Sequence, residues 1–217
     1  MTNIQHKVWE MLDHSPSIRR ELGRGLINFS ALARYIIKEK NIDVPLDGVI
    51  SAIRRYELDK PDDIFKKAFK ILDKTVTIST KINLVEITLL KDDEIQQLLS
   101  EVFSQIRYSS GDVLRITQAN EAINLLIDDK NLEKIIRIFP KNKIIAKITD
   151  LAEINIYIPP NMQNTPGIIA VIANELAINE INAMEIMTCP PEMIWVVNKE
   201  DLTKAADILF KLCEHNK

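Results

Sequence analysis

The chain has 217 residues, with 28 Lys and Arg against 31 Asp and Glu, and this length is enough for one or two domains with cores of their own. No apolar run approaches the ~20 residues of a membrane span, and the N-terminus has no apolar signal-peptide core, so we expect a cytoplasmic protein without membrane contact. The two cysteines, Cys189 and Cys213, have no metal-binding or CxxC spacing, which favours a reducing compartment.

The first 73 residues have the 3.6-residue apolar periodicity of α-helices, and we expect them to form a helical domain. Ser30 is the predicted N-cap of a helix that runs to Lys40. The next helix is predicted from Leu46 to Leu58, after a break that contains Pro45. The apolar residues predicted to face the core of this domain are Val8, Trp9, Met11, Leu12, Leu32, Tyr35, Ile36, Leu46, Val49, Ile50 and Ile53.

These two helices and their short connection resemble a helix-turn-helix. The apolar face of the second helix leaves Ser51, Arg54 and Arg55 outward, where they can contact phosphates or guanine edges. The break is longer than the usual three to four residues, and Asp47 would face phosphates, so a docking or dimerisation domain stays an alternative. Residues 1–74 contain 14 Lys and Arg against 11 Asp and Glu, and the rest contain 14 against 20, which suits a binder joined to a sensor.

An internal repeat is the most informative feature of the remaining chain. From Lys74 the periodicity changes from helical to alternating. Residues 84–87 (LVEI) match residues 151–154 (LAEI) at an offset of 67, and Leu132 matches Leu202 at an offset of 70. Each repeat is predicted to have the order ββαββα, with two strand runs before its first helix.

The second repeat contains an alternating apolar run, a polar loop, Thr165-Pro166-Gly167 at the start of an apolar helix, and then the run INAMEI. This order resembles the ACT domain, a ferredoxin-like module that binds amino acids. The two repeats together resemble the tandem ACT region at the C-terminus of aspartokinase, whose catalytic domain is absent here. The resemblance implies an α+β protein with a helical domain at 1–73, a first ACT-like repeat at 74–141 and a second at 142–217.

The resemblance places an amino-acid effector at the loop before the first helix of a repeat and at the start of the following strand. A helix that begins with Pro166-Gly167 can offer its N–H groups to a carboxylate, although Asn164 or Thr165 would block them by capping the helix. The equivalent loop of the first repeat, residues 91–94 (KDDE), holds three carboxylates that would repel such a ligand. The predicted ligand-binding residues are Gln163, Asn164, Thr165, Pro166, Gly167, Ile168 and Asn182.

The sequence contains no HExxH, Walker or GxGxxG pattern, and the three histidines, His6, His14 and His215, lie near the termini. We therefore expect no catalysis, metal or cofactor. The expected function is an amino-acid-responsive regulator whose helical domain binds DNA. The alternative is a regulatory subunit that docks on a biosynthetic enzyme through the helical domain. Because ACT modules usually pair, a homodimer or higher homo-oligomer is expected.

Overall fold

The computed structural model of the protein describes residues 2–41, 43–56, 67–72, 77–158 and 164–214. The chain divides into two compact units, Met1–Asp63 and Ile64–Lys217. The helical residues 67–72 belong to the second unit, whereas the predicted domain boundary lies between residues 73 and 74. Over the described ranges, no helix has the length and apolar character that a membrane crossing requires.

The described part of the first unit is entirely helical, as predicted. Its helices are α1 (Thr2–Asp13), α2 (Pro16–Gly23), α3 (Phe29–Lys40) and α4 (Leu46–Arg54). Buried apolar side chains from all four helices form one core. The predicted core residues are confirmed in this cluster with one exception, which is an aromatic side chain on α3.

That exception and two helix ends differ from the prediction. Tyr35 is 49% exposed, because the buried side of α3 is centred on Leu32 and Ile36 and Tyr35 points about 100° away from it. The N-cap of α3 is Asn28 and not Ser30, since the Asn28 side chain accepts a hydrogen bond from the Ala31 N–H. Helix α4 ends at Arg54, four residues before the predicted Leu58.

The second unit contains a six-stranded antiparallel sheet in its described part, with the order β2-β3-β1-β4-β6-β5. Helices cover one face of this sheet, and the other face carries none of the described helices of the unit. The strands are β1 (Thr77–Leu90), β2 (Leu114–Gln118), β3 (Ala122–Asp128), β4 (Ile144–Tyr157), β5 (Glu185–Cys189) and β6 (Glu192–Asn198). The helices are α5 (Asp93–Gln105), α6 (Leu132–Ile136), α7 (Ile168–Ile178) and α8 (Leu202–Glu214).

The two halves of this unit share the element order strand, helix, two strands and helix. Strands β1 and β4 each have 14 residues and, from the third residue onward, the same succession of buried and exposed positions. The prediction of two strand runs in each repeat is wrong, because each pair of runs is one continuous strand. Asn83 in β1 and Asp150 in β4 have left-handed backbones, with φ of 60° and 57°, and the pairing register shifts beside them. The chain is therefore irregular at these points without reversing.

Strands β1 and β4 pair with each other in the middle of the sheet, where Leu84 lies opposite Leu151. Within each half the third strand lies between the first and the second, as in β1-β3-β2 and β4-β6-β5. The position on the other side of each first strand is occupied by the first strand of the other half. Each half therefore completes the sheet of the other.

Three apolar clusters stabilise this unit. The helix-covered face has one cluster for each half, and the residues Ala68 and Leu72 of the segment 67–72 belong to the second of them. A third cluster lies on the helix-free face, as the register of its members shows. Its residues are Leu84, Val113, Leu126, Leu151, Ile194 and Val196.

The sheet curls about its helix-free face. Arg115 on β2 reaches Glu153 on β4 with an Nη2–Oε1 distance of 3.0 Å, although β3 and β1 lie between these strands. Three strand spacings amount to about 14 Å, close to the combined reach of the two extended side chains. Curling brings the strands closer, and it also explains why the third cluster is buried without a helix above it.

Candidate functional site

A cleft of about 350 Å³ lies at the N-terminus of α7. One wall is the loop and first turn that contain five of the predicted ligand-binding residues, Asn164, Thr165, Pro166, Gly167 and Ile168. The opposite wall is the end of β5, the following turn and the start of β6, with Thr188, Pro190, Pro191 and Met193. The structure thus brings the predicted loop together with a mainly apolar surface that the sequence did not point to.

Gly167 determines the geometry of this helix start. It is the N-cap of α7 and has φ of 96°, a backbone conformation that disfavours any side chain. Its carbonyl accepts the first helical hydrogen bond, from the Val171 N–H at 2.9 Å. A glycine cap has no side chain to bond the first N–H groups of the helix, so those of Ile168 and Ile169 have no acceptor within the helix.

The predicted alternative, a cap by Asn164 or Thr165, is not what the structure shows. The cap position is Gly167, and in the described part of the chain neither of these two side chains makes a hydrogen bond. Among the described residues that line the cleft, Glu192 is the one that is ionisable. The arrangement is chemically suited to a ligand with a carboxylate for the helix end and an apolar group for the opposite wall.

Two predicted ligand residues are not among the described residues that line this cleft. Gln163 lies outside the described residues. Asn182 is exposed, and its side-chain amide donates to the Met184 sulfur at 3.1 Å. Both β4 and β5 run antiparallel to β6, so they are parallel to each other, and α7 must return along the sheet between them. The start of β5, at Glu185, is therefore about 10 Å from Thr188 at the other end.

The corresponding helix start in the first half is closed. The Asp92 carboxylate accepts a hydrogen bond from the Ile95 N–H at 2.9 Å and forms an ion pair with Lys143. The Lys143 ammonium, followed by the backbone N–H, holds the pKa of Asp92 below its usual value. A carboxylate of the chain itself thus occupies the place that a ligand carboxylate would take at α5.

The predicted DNA-contacting residues lie together on α4. Ser51, Arg54 and Arg55 are all exposed, and the last two are three and four residues from the first, so they share one side of the helix. Among the residues that the structure describes, neither arginine has an ion-pair partner. Asp47 is exposed in the first turn of the same helix. The same described ranges contain no group of three His, Cys, Asp or Glu side chains able to hold a metal.

No family model matches the chain, and no curated protein matches it either. Solved structures do match. The aspartate kinase of Clostridium acetobutylicum is 21% identical with a TM-score of 0.53, over 66% of this chain and 36% of that enzyme. The regulatory subunit of aspartate kinase from Thermus flavus is 16% identical with a TM-score of 0.51, over 64% of this chain and 99% of that subunit.

The aspartokinase alpha and beta subunits give a third match, with 16% identity, a TM-score of 0.51 and coverage of 64% of this chain and 98% of the other. This chain contains an ACT-like region. The similarity concerns the fold, and it agrees with the mixed helical and antiparallel architecture of the second unit. The matched part of the ACT-like region spans about a third of the length of the Clostridium enzyme.

Proposed function

We propose that the protein is a non-catalytic cytoplasmic regulator that binds a small amino acid in the cleft at the start of α7. The observation that carries this proposal is the uncapped helix end beside Gly167. The N–H groups of Ile168 and Ile169 bind the ligand carboxylate, and the helix dipole favours its charge. Pro190 and Met193 contact an aliphatic side chain. The aspartokinase regulatory subunits of similar fold support the same role.

Pairing with a second copy completes this site in the proposal. Strand β5 is an edge of the sheet, and its Ile186 side chain is 42% exposed. Unpaired edge strands are templates for pairing with another chain. If two copies pair antiparallel along β5, Asn182 of one copy lies near the Pro190-Pro191 turn of the other. This arrangement gives the predicted Asn182 a role in the cleft that it does not have within one chain.

A ligand screen by thermal unfolding tests the proposal. Each common amino acid is added to the full chain, and a ligand that binds only the folded state raises the Tm. At a concentration 100 times its Kd, the ligand adds about 2.7 kcal/mol to the free energy of unfolding. The active amino acid is then titrated by calorimetry, and light scattering reports the oligomeric state.

The control is a pair of matched substitutions. Thr188→Trp places an indole in the cleft, and Gln118→Trp places the same group at the equivalent exposed end of β2 in the first half. We expect the first variant to lose the response to the amino acid and the second to keep it. If no amino acid raises the Tm, or if both variants respond as the parent does, the cleft is not the effector site.

We propose DNA as the second ligand of the regulator, bound by α4. The observation in favour is the exposed set Ser51, Arg54 and Arg55 on one side of this helix. The double substitution of both arginines by alanine should weaken binding by about 1–3 kcal/mol for each base that an arginine reads, and it should reduce the salt dependence of binding. The matched control replaces Arg34 and Lys38, two exposed cations of α3.

The alternative partner for the first unit is a biosynthetic enzyme. Co-purification from the source cells separates the two cases, because a stoichiometric enzyme partner indicates docking and an enriched DNA site indicates a repressor. If the arginine variant and its α3 control bind DNA equally, α4 is not the DNA-reading helix and docking becomes the better account.

A further inference from the structure

The helix-free face of the sheet carries a second concave site, distinct from the cleft. Thr77, Ser79, Asn155, Tyr157 and Glu192 line a groove of about 360 Å³. Thr77 and Ser79 on β1 lie opposite Tyr157 and Asn155 on β4, and Tyr157 lies opposite Glu192 on β6. Three neighbouring strands therefore position these five polar side chains on one face. We refer to this site as the polar groove.

The hydrogen bonds of the polar groove leave one strong acceptor unused. The Asn155 amide nitrogen donates to Glu192 Oε2 at 2.9 Å. Because a carboxylate accepts and does not donate, this bond fixes the orientation of the amide. The Asn155 Oδ1 atom is then buried, and within the described residues it has no hydrogen-bond partner. Buried acceptors of this kind are normally paired, so a ligand that brings a donor favours a small rotation of the Asn155 side chain that opens Oδ1 to the groove.

Comparison of the two halves shows that the fold does not require this polarity. At offsets of 67 for β1 and β4 and 70 for β6, four of the five positions have counterparts on the same face at the other end of the sheet, and these are apolar with one exception. These residues are Ala146, Thr88, Leu90 and Ala122. The polar residues are therefore a property of one end of the sheet and not of the repeat itself.

We propose that the polar groove binds a small ligand through a primary ammonium group. The described residues of the lining include the carboxylate of Glu192 but no Lys or Arg, so they favour a cation. An ammonium group has three donors, which match Asn155 Oδ1, the Glu192 carboxylate and a hydroxyl of Thr77 or Ser79. The exposed ring of Tyr157 adds a cation–π contact. This site and the α7 cleft lie on opposite faces of the sheet and meet only at Glu192.

The experiment uses ethanolamine as the probe and ethylene glycol, its neutral analogue of the same size, as the comparison. Both are titrated into the full chain, and binding is followed by NMR chemical shifts. We expect saturable binding of ethanolamine. Ethylene glycol should bind at least about ten-fold more weakly, because it cannot form the charge-assisted hydrogen bonds. Equal binding of the two compounds, or no binding of ethanolamine, overturns the proposal.

Variants locate the bound probe. Asn155→Leu and the milder Ser79→Ala should each weaken ethanolamine binding, the first about ten-fold. Thr88→Val, at the position in the first half equivalent to Asn155, should leave it unchanged, and the Tm of each variant reports folding. The cleft-filling Thr188→Trp variant should bind ethanolamine as the parent does, so this test is independent of the amino-acid screen. Unchanged binding by both Asn155→Leu and Ser79→Ala contradicts the proposal.

Discussion

Replacing Glu86 with Gln should remove a pH-dependent loss of stability. Glu86 lies on the helix-free face of β1, is 7% exposed and accepts a hydrogen bond from the Asn124 amide at 3.2 Å. Burial, followed by the negative charge of Glu185, raises its pKa from 4.5 to about 7. At the two positions related to these by the repeat, Glu153 forms an ion pair with Arg115. The sheet thus pairs opposite charges at one of these two places and brings two carboxylates together at the other.

The sign of the effect follows from proton binding. Between pH 4.5 and about 7 the folded chain keeps a proton on Glu86 that the unfolded chain has lost. The stabilising contribution is therefore complete below pH 4.5 and is lost as the pH rises through about 7. The whole shift corresponds to about 3 kcal/mol at 1.36 kcal/mol per pKa unit. Partial access of water screens the charges, so we expect a change of about 1–2 kcal/mol.

Urea denaturation from pH 5 to pH 8 measures this change. Gln keeps an acceptor for Asn124 and has no charge, so Glu86→Gln should be increasingly more stable than the parent as the pH rises. Glu185→Arg gives Glu86 an arginine partner, as Arg115 is for Glu153, and should also make the chain increasingly more stable than the parent as the pH rises. The matched control, Glu153→Gln, leaves Arg115 without its carboxylate and should destabilise the chain at every pH.

A difference between Glu86→Gln and the parent that stays constant from pH 5 to pH 8 would refute the reasoning. Such a result means that Glu86 ionises in the folded chain as readily as in the unfolded chain. The opposition of Glu86 and Glu185 would then have no energetic consequence.

Three further changes test the sheet and its loops. Leu84→Ala and Leu151→Ala each remove a fully buried side chain and should lower the free energy of unfolding, measured with urea, by about 3 kcal/mol. A decrease of less than about 1 kcal/mol would contradict this packing. Asp150→Gly should stabilise the chain by about 0.5–1 kcal/mol because φ is 57°, whereas an equal gain from Asp150→Ala would contradict the left-handed backbone. The Lys130 ammonium, followed by a backbone N–H, lowers the pKa of Asp112. The stabilisation that the ionised Asp112 gives to the fold is therefore lost in acid, and Asp112→Asn should lower the Tm more at pH 7 than at about pH 2.

The repeat was predictable from the sequence because it is carried by buried positions. The tetrapeptides LVEI and LAEI occupy the most buried part of β1 and β4, where side-chain volume limits substitution. The loop before α7 was predictable for a local reason. A glycine beside a proline marks a change of backbone direction without tertiary contacts, although α7 begins at Ile168 and not, as predicted, with Pro166 in its first turn.

The continuity of the two long strands was not predictable, because Asn83 and Asp150 look like turn residues. Only pairing with a partner strand on both sides of these residues keeps the chain extended through them. The position of Asn182 was missed for a topological reason, since the parallel direction of β4 and β5 separates a helix start from the next strand start. The opposition of Glu86 and Glu185 depends on the curl of the sheet, which no local pattern reports.

The pairing of β1 with β4 has a consequence for synthesis on the ribosome. Leu84 and Leu151 are 67 residues apart in the chain, so at about 5–20 residues per second β1 waits about 3–13 s for its partner strand. During this interval one edge of β1 is open to β1 of another nascent chain on the same messenger. A chain that stops after the first half keeps this edge open permanently and is expected to aggregate.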